Sequence, residues 1–286
     1  MNLKEIFELP PLIVNFAPTG MTANRELTPH IPIRPDEIIR DVLHASDIGI
    51  TMVHLHARES DGRPTFKKDV YAKIISGIRE HRPDLIICVS CSGRNFKDLN
   101  ERAEVLNLGQ DLRPDMASLT LSSMNFARQE SINSPQTVRT LALMMLERGI
   151  TPEFEVFDLG MANFLSYLVD KLGLVSPYYA NIILGNIASA QADLLSIAAL
   201  TNALPGGTIW GLGGIGNAQI HTTMLAASFA PAVRVGLEDN LWLDRKRARP
   251  ATNIDMIERV HHLASLADRK IMDSGTLRDL LHFRKI

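Results

Sequence analysis

The chain has 286 residues, 45% of them hydrophobic, with 30 basic and 32 acidic side chains for a formal charge of −2. That length can bury one large core, and the near-neutral balance gives no reason to expect nucleic acid or an anionic membrane surface as a partner. Two cysteines, Cys88 and Cys91, exclude a disulfide framework and fit a reducing cytoplasm, and no apolar run reaches the ~20 residues of a membrane helix.

The start, "MNLKEIFELPPLIVNFAP", lacks the basic-then-apolar pattern of an export signal. Short β-branched runs then predict strands at 12–17 ("LIVNFA"), 51–57 ("TMVHLHA"), 85–92 ("LIICVSCS") and 116–122 ("MASLTLS"). Four more follow at 153–158 ("EFEVFD"), 181–186 ("NIILGN"), 208–214 ("TIWGLGG") and 233–239 ("VRVGLED"). Helical patterns lie between them. In 34–49, Ile38, Ile39, Val42, Leu43 and Ala45 recur at helical spacing, with Pro35 suited to the first turn and Gly49 to the stop. The scheme repeats in "KKDVYAKIISGIREHRPD", from Ser134 to Gly149, and in "NIDMIERVHHLASLAD".

Eight β-then-α units predict a (β/α)8 TIM barrel, an α/β fold using residues 1–286 as one domain. An N-terminal loop of about 18–34 and a C-terminal tail of about 268–286 flank it. The rival is a doubly wound open sheet, which usually brings a Gly-rich phosphate turn after its first strand. "NFAPTGMTANRELTPHIP" does not resemble one. It is long for a β-to-α loop and rich in Pro and Thr, as covers over a site often are.

Barrel active sites gather at the C-terminal strand ends. There the chain carries His54, His56 and Arg58, then Ser90 and Ser92, Thr120 and Ser122, Glu153, Glu155 and Asp158, and finally Arg234, Glu238 and Asp239. Side chains alternate along a strand, so His54 and His56 share a face with Met52 and Arg58. Two imidazoles at that spacing can share one divalent ion; the plainer reading is a pair of hydrogen-bonded core histidines. Zinc commonly takes two His and a carboxylate, and Glu238 is the best-placed acid. The remaining histidines fall mostly in helices or the tail, which disfavours a two-metal hydrolase.

"MVHLHAR" with "DGRP", then "VSCSGR", "PDMASLTLSSMNF", "GITPEFEVFDLGM", "LPGGTIWGLGGIG" and "VRVGLEDN" together resemble the β-keto acid cleavage enzyme family, over residues 12–265. The resemblance implies a zinc-dependent barrel, one Zn2+ per subunit, that takes a β-keto acid and acetyl-CoA to acetoacetate and an acyl-CoA. It also implies a homotetramer. Carried over, it makes His54, His56 and Glu238 the metal ligands, Asp239 and Arg234 the proton-handling dyad, and Ser90 a serine at the substrate. It sets Thr120 near the thioester and one of Glu153 and Glu155 in the site, Glu153 being favoured; Ser92 and Arg58 are further substrate-binding candidates. Where the family's type enzyme continues "N-G-A-E" after its first strand, this chain has "NFAP", so Pro18 replaces a glutamate that reads an amino group. A substrate without that amine is expected. A CoA-independent metal-dependent C–C lyase or aldolase in the same barrel is the alternative.

Overall fold

The computed structural model describes residues 9–283. Eight parallel strands close into a barrel: β1 (Ile13–Phe16), β2 (Met52–Leu55), β3 (Ile86–Val89), β4 (Met116–Thr120), β5 (Thr151–Val156), β6 (Tyr178–Leu184), β7 (Thr208–Gly214) and β8 (Ala232–Val235). Around the barrel the order is β1-β8-β7-β6-β5-β4-β3-β2, so every strand lies beside its sequence neighbours and the β1–β8 pair closes the ring. Most strands are shorter than the apolar runs that predict them. His56, Ser90 and Ser92, and Glu238 and Asp239 lie past the last ladder residues, in the loops at the C-terminal rim.

The helices α1 (Pro35–Ile48), α2 (Lys68–Arg79), α3 (Leu99–Ala103), α4 (Pro135–Glu147), α5 (Leu159–Leu172), α6 (Leu194–Ala203), α7 (Ala218–Phe229) and α8 (Asn253–Leu266) follow the strands in turn. In α1, Pro35 occupies the first turn, and Ile38, Val42 and Ala45 face the sheet. Glu37 reaches back to the backbone N–H groups of Ile33 and Arg34, 3.0 Å each, satisfying donors that the helix start leaves open. Each Ile, Leu or Val so buried contributes about 1.5–3 kcal/mol. Among the described residues no helix is long and apolar enough to cross a membrane.

The expected tail contains a helix. α9 (Ser274–Leu280) is capped by Asp273, whose carboxylate accepts from Thr276 N–H at 2.8 Å. Met272, Leu277 and Leu281 pack against Ile13, Met52, Ile86 and Met116 at the N-terminal mouth of the barrel. Arg278 fixes this plug by pairing with Asp115 at 2.9 Å. With one end sealed by apolar side chains, the polar end is the one left open.

Candidate active site

Strand alternation sends one residue in two into the barrel, and register decides its depth. Asn15 lies level with Met52 and with Arg234, His54 with Cys88, Ser118 with Glu153, and Thr120 with Glu155. The inward layers therefore run from apolar Ile13, Met52 and Ile86, through Asn15, His54 and Glu153, to Thr120, Glu155 and the loop residues above. Gly213 stands level with the side chain of Arg234. A Cβ there would lie 3.2–3.5 Å from three Arg234 side-chain carbons, so the missing methyl makes room for the guanidinium.

Above these layers opens a cavity of about 1050 Å³. At its floor His54 Nε2 and His56 Nε2 are 3.4 Å apart, and Glu238 Oε1 lies 3.1 Å from His56 Nε2 and 3.9 Å from His54 Nε2. Glu238 and Asp239 follow β8 on a tight turn. Gly236 has φ +149 and packs so closely on the Ala17 backbone that a Cβ would sit 2.0 Å from the carbonyl oxygen. The turn is further held by Glu238 N–H donating to Ala17 O at 3.2 Å and Leu237 N–H donating to Asn253 Oδ1 at 2.9 Å.

Beneath the triad, Glu153 accepts from His54 Nδ1 and Asn15 Nδ2, 2.6 Å each, and from Cys88 Sγ at 3.2 Å. Burial works against its charge, yet His54 and Arg234 hold the carboxyl down at about 2. An ionised carboxylate only accepts, so Nδ1 of His54 carries a hydrogen and Nε2 of the neutral ring keeps its lone pair. Burial also disfavours charge on His54, but Glu153 and Glu238 outweigh it and raise its pKa. This pocket draws positive charge.

Those observations test whether a metal fits. The three donor atoms converge within 4.8 Å of one another, and Glu238 Oε2 is buried without a partner among the described residues. A divalent ion would satisfy all of them, with the Glu153 carboxylate orienting one imidazole from behind. The donor set fits.

Arg234, fully buried, binds both acids of the turn: Nη2 donates to Glu238 Oε1 at 2.6 Å and Nε to Asp239 Oδ2 at 2.8 Å. Its Nη1 has no partner among the described residues. The neighbouring acids are driven apart. Burial opposes charge on both, but His56 and Arg234 hold Glu238 well below the usual range. Burial keeps Asp239 raised, with the Glu238 charge beside it, despite Arg234. A permanent anion and a readier proton acceptor thus sit side by side.

Ser90, Ser92 and Thr120 line the cavity. The two serine hydroxyls also accept from the backbone, Ser90 Oγ from Ser92 N–H at 3.2 Å and Ser92 Oγ from Arg94 N–H at 3.3 Å. Thr120 Oγ1 donates to Glu155 Oε2 at 2.5 Å. Two expectations need correction. Glu155 lines the cavity, whereas Glu153 lies one layer deeper, under His54, where a substrate would not touch it. Arg58 is no substrate ligand in this geometry: β2 ends at Leu55, and Ala57–Arg58 pairs separately with Pro64–Thr65. Its guanidinium instead donates to the carbonyls of Gly62, Gly20 and Ala23 at 2.7, 3.2 and 2.8 Å, tying down the 18–34 loop. That loop does reach the site, with Met21, Thr22, Ala23 and Leu27 at the cavity wall. Asn186, expected at the end of the sixth strand, also lines it, as do Arg94 and Phe126, which sequence reasoning passed over; "VSCSGR" held the signal for Arg94, two residues past Ser92.

With this geometry in hand, known proteins give a family. The profile of the β-keto acid cleavage enzymes matches residues 11–283. The chain belongs to the β-keto acid cleavage enzyme family. A 3-keto-5-aminohexanoate cleavage enzyme of Fusobacterium nucleatum is 34% identical over 277 residues, 96% of this chain and 98% of that protein. The 3-oxoadipate:acetyl-CoA acetyltransferase of Cupriavidus necator is 32% identical over 95% of this chain and 94% of its own length. Among solved structures, the binary complex of ObcA with oxaloacetate superposes with a TM-score of 0.76 at 18% identity, over 89% of this chain and 67% of that one. That likeness shows the shared barrel.

Proposed function

We propose that this member of the β-keto acid cleavage enzyme family exchanges acyl groups between a β-keto acid and acetyl-CoA. The acid R–CO–CH2–COO⁻ gives its R–CO group to CoA, and its CH2–COO⁻ carbon joins the acetyl group as acetoacetate. One observation carries this reading. His54, His56 and Glu238 converge on the cavity floor directly beside the Arg234–Asp239 pair, in a chain about a third identical to relatives named for this chemistry.

His54 Nε2, His56 Nε2 and Glu238 would hold one Zn2+ per subunit, two imidazoles and a carboxylate being a common zinc set. When bound, the ion supplies Lewis-acid stabilisation of negative charge on the keto oxygen. The rest falls to the chain itself. Asp239, its pKa raised by burial, takes the C2 proton. Arg234 keeps that carboxylate oriented through Nε and offers the unpartnered Nη1 to the developing enolate or carboxylate. Ser90 and Thr120 offer hydroxyls to the substrate and the thioester, with Ser92 behind Ser90 and Glu155 fixing Thr120. The wall formed by Met21–Ala23 and Leu27 limits water. Cys88 and Cys91, buried and unbridged, support a cytoplasmic setting. A homotetramer belongs to the same proposal. Ile187 (74%), Leu194 (68%) and Leu195 (80%) are exposed apolar side chains that a neighbouring copy would cover.

The test is acetoacetate formation by the zinc-loaded protein from a panel of β-keto acids, with and without acetyl-CoA. Product that requires acetyl-CoA, and that Asp239→Asn and His54→Ala abolish, is the expected result. Cleavage without CoA would replace the reading by the lyase one.

A further inference from the structure

Two guanidinium groups lie inside the cavity, Arg234 buried and Arg94 half-buried, and protein carboxylates pair with only the first. Arg234 is held by Glu238 and Asp239. Arg94 lines the cavity three strands further around the barrel, on the loop after β3. Among the described residues its one hydrogen bond is from its backbone N–H to Ser92 Oγ at 3.3 Å. Its guanidinium carbon lies 3.4 Å from the centroid of the Phe126 ring, which presents an aromatic face to the cation and fixes its plane. All five side-chain N–H donors therefore lack a protein acceptor among the described residues. Burial lowers the Arg94 pKa, but a guanidinium stays charged. Half-buried in the cavity wall, it feels Glu238, Glu155 and Asp239 without touching them, and an anionic ligand group would supply the contact counter-ion.

The support beneath Arg94 is rigid. Arg102, buried behind the same loop, donates to Cys91 O at 2.9 Å, Asn133 Oδ1 at 2.7 Å and Ile132 O at 3.1 Å. A clamped backbone and a stacked guanidinium make a preorganised fork, the geometry that binds a carboxylate through two parallel hydrogen bonds. The metal triad and Arg234 already serve the keto-acid head. The exposed Arg128 and Arg247 at the rim suit the phosphates of a long thioester arm, whereas Arg94 lies inside.

We propose that Arg94 binds a second carboxylate at the far end of the substrate, so that this enzyme prefers β-keto dicarboxylic acids over acids with neutral or cationic tails. The inference rests on the acyl-exchange reading above and names the substrate class of that site. Its test compares 3-oxoadipate with 3-oxohexanoate, equal in chain length and differing in the terminal carboxylate, in the zinc-loaded wild type, Arg94→Met and Arg94→Lys. Wild type is expected to favour 3-oxoadipate in kcat/KM by about tenfold or more. Arg94→Met should lower that ratio about 100-fold, and Arg94→Lys should recover part of it. Wild-type preference for 3-oxohexanoate, or equal losses on both acids, would overturn the assignment. So would a defect confined to the KM for acetyl-CoA, which would move Arg94 to the co-substrate. If neither acid turns over, the acyl-exchange reading has failed, and calorimetry with adipate decides the role of Arg94. Adipate binding lost in Arg94→Met and partly kept in Arg94→Lys would uphold it; binding equal to wild type in Arg94→Met would overturn it.

Discussion

Replacing Glu153 by Gln tests how the histidine pair is prepared for a metal. The carboxylate accepts from three sides, from Asn15 Nδ2, His54 Nδ1 and Cys88 Sγ. An amide of the same shape has one accepting oxygen and a donating NH2 group, so Asn15 and His54 cannot both be satisfied. If the oxygen faces Asn15, the NH2 faces Nδ1 of His54, and the ring must move its proton to Nε2. That places a hydrogen where a metal needs a lone pair. Losing such an outer partner weakens metal affinity by about 10–100-fold, or about 1.4–2.8 kcal/mol. In the other orientation Asn15 Nδ2 faces the new NH2 group and keeps only its longer contacts to Asn181 Oδ1 and Tyr179 Oη, at about 1–3 kcal/mol of stability. The assay is competition for Zn2+ with a chromophoric chelator, with circular dichroism melting of both proteins to keep the fold in view. A Glu153→Gln protein that holds Zn2+ within twofold of wild type and also melts like wild type would refute the argument.

Three further outcomes follow from the same geometry. Arg102→Met removes three charge-assisted bonds and leaves their buried acceptors empty, so urea unfolding should show a loss of about 3 kcal/mol or more. Gly236→Ala sets a methyl against the Ala17 carbonyl at a φ that disfavours any side chain, and a sharp loss of soluble, cooperatively melting protein is expected. Burial pushes the Cys91 thiol up to about 12, and Cys88, buried beside Glu153, is also raised. Thiolate is the reactive form, so both thiols should stay silent to a disulfide reagent at pH 8 and react only on unfolding. Rapid labelling of the native protein would contradict the packing.

The barrel was legible because each strand is a short β-branched run and each helix repeats at its own period, and local pattern carries both signals. Depth and direction at the rim were not. Glu153 and Glu155 share a face by alternation, and only the stagger of β5 against β4 separates the residue under His54 from the one facing the cavity. Alternation also misled for Arg58. It holds only while the strand lasts, and the chain leaves the ladder after Leu55 before turning Arg58 under the loop. His56 survives the same break because its Nε2 still meets Glu238. α9 escaped notice because seven residues hold too few turns to show a period, and its apolar face is explained only by the barrel mouth it fills. Arg94 is a loop residue whose lack of a contacting carboxylate among the described residues shows only in three dimensions.

The measurement that bears most directly on the account is the fate of carbon from [1-13C]acetyl-CoA during turnover of a β-keto acid, followed by NMR and mass spectrometry. Acyl exchange requires the label at the keto carbon of acetoacetate, an unlabelled acyl-CoA in equal amount, and no free CoA thiol. Label retained in acetyl-CoA while the acid is cleaved, or released as acetate, would contradict it.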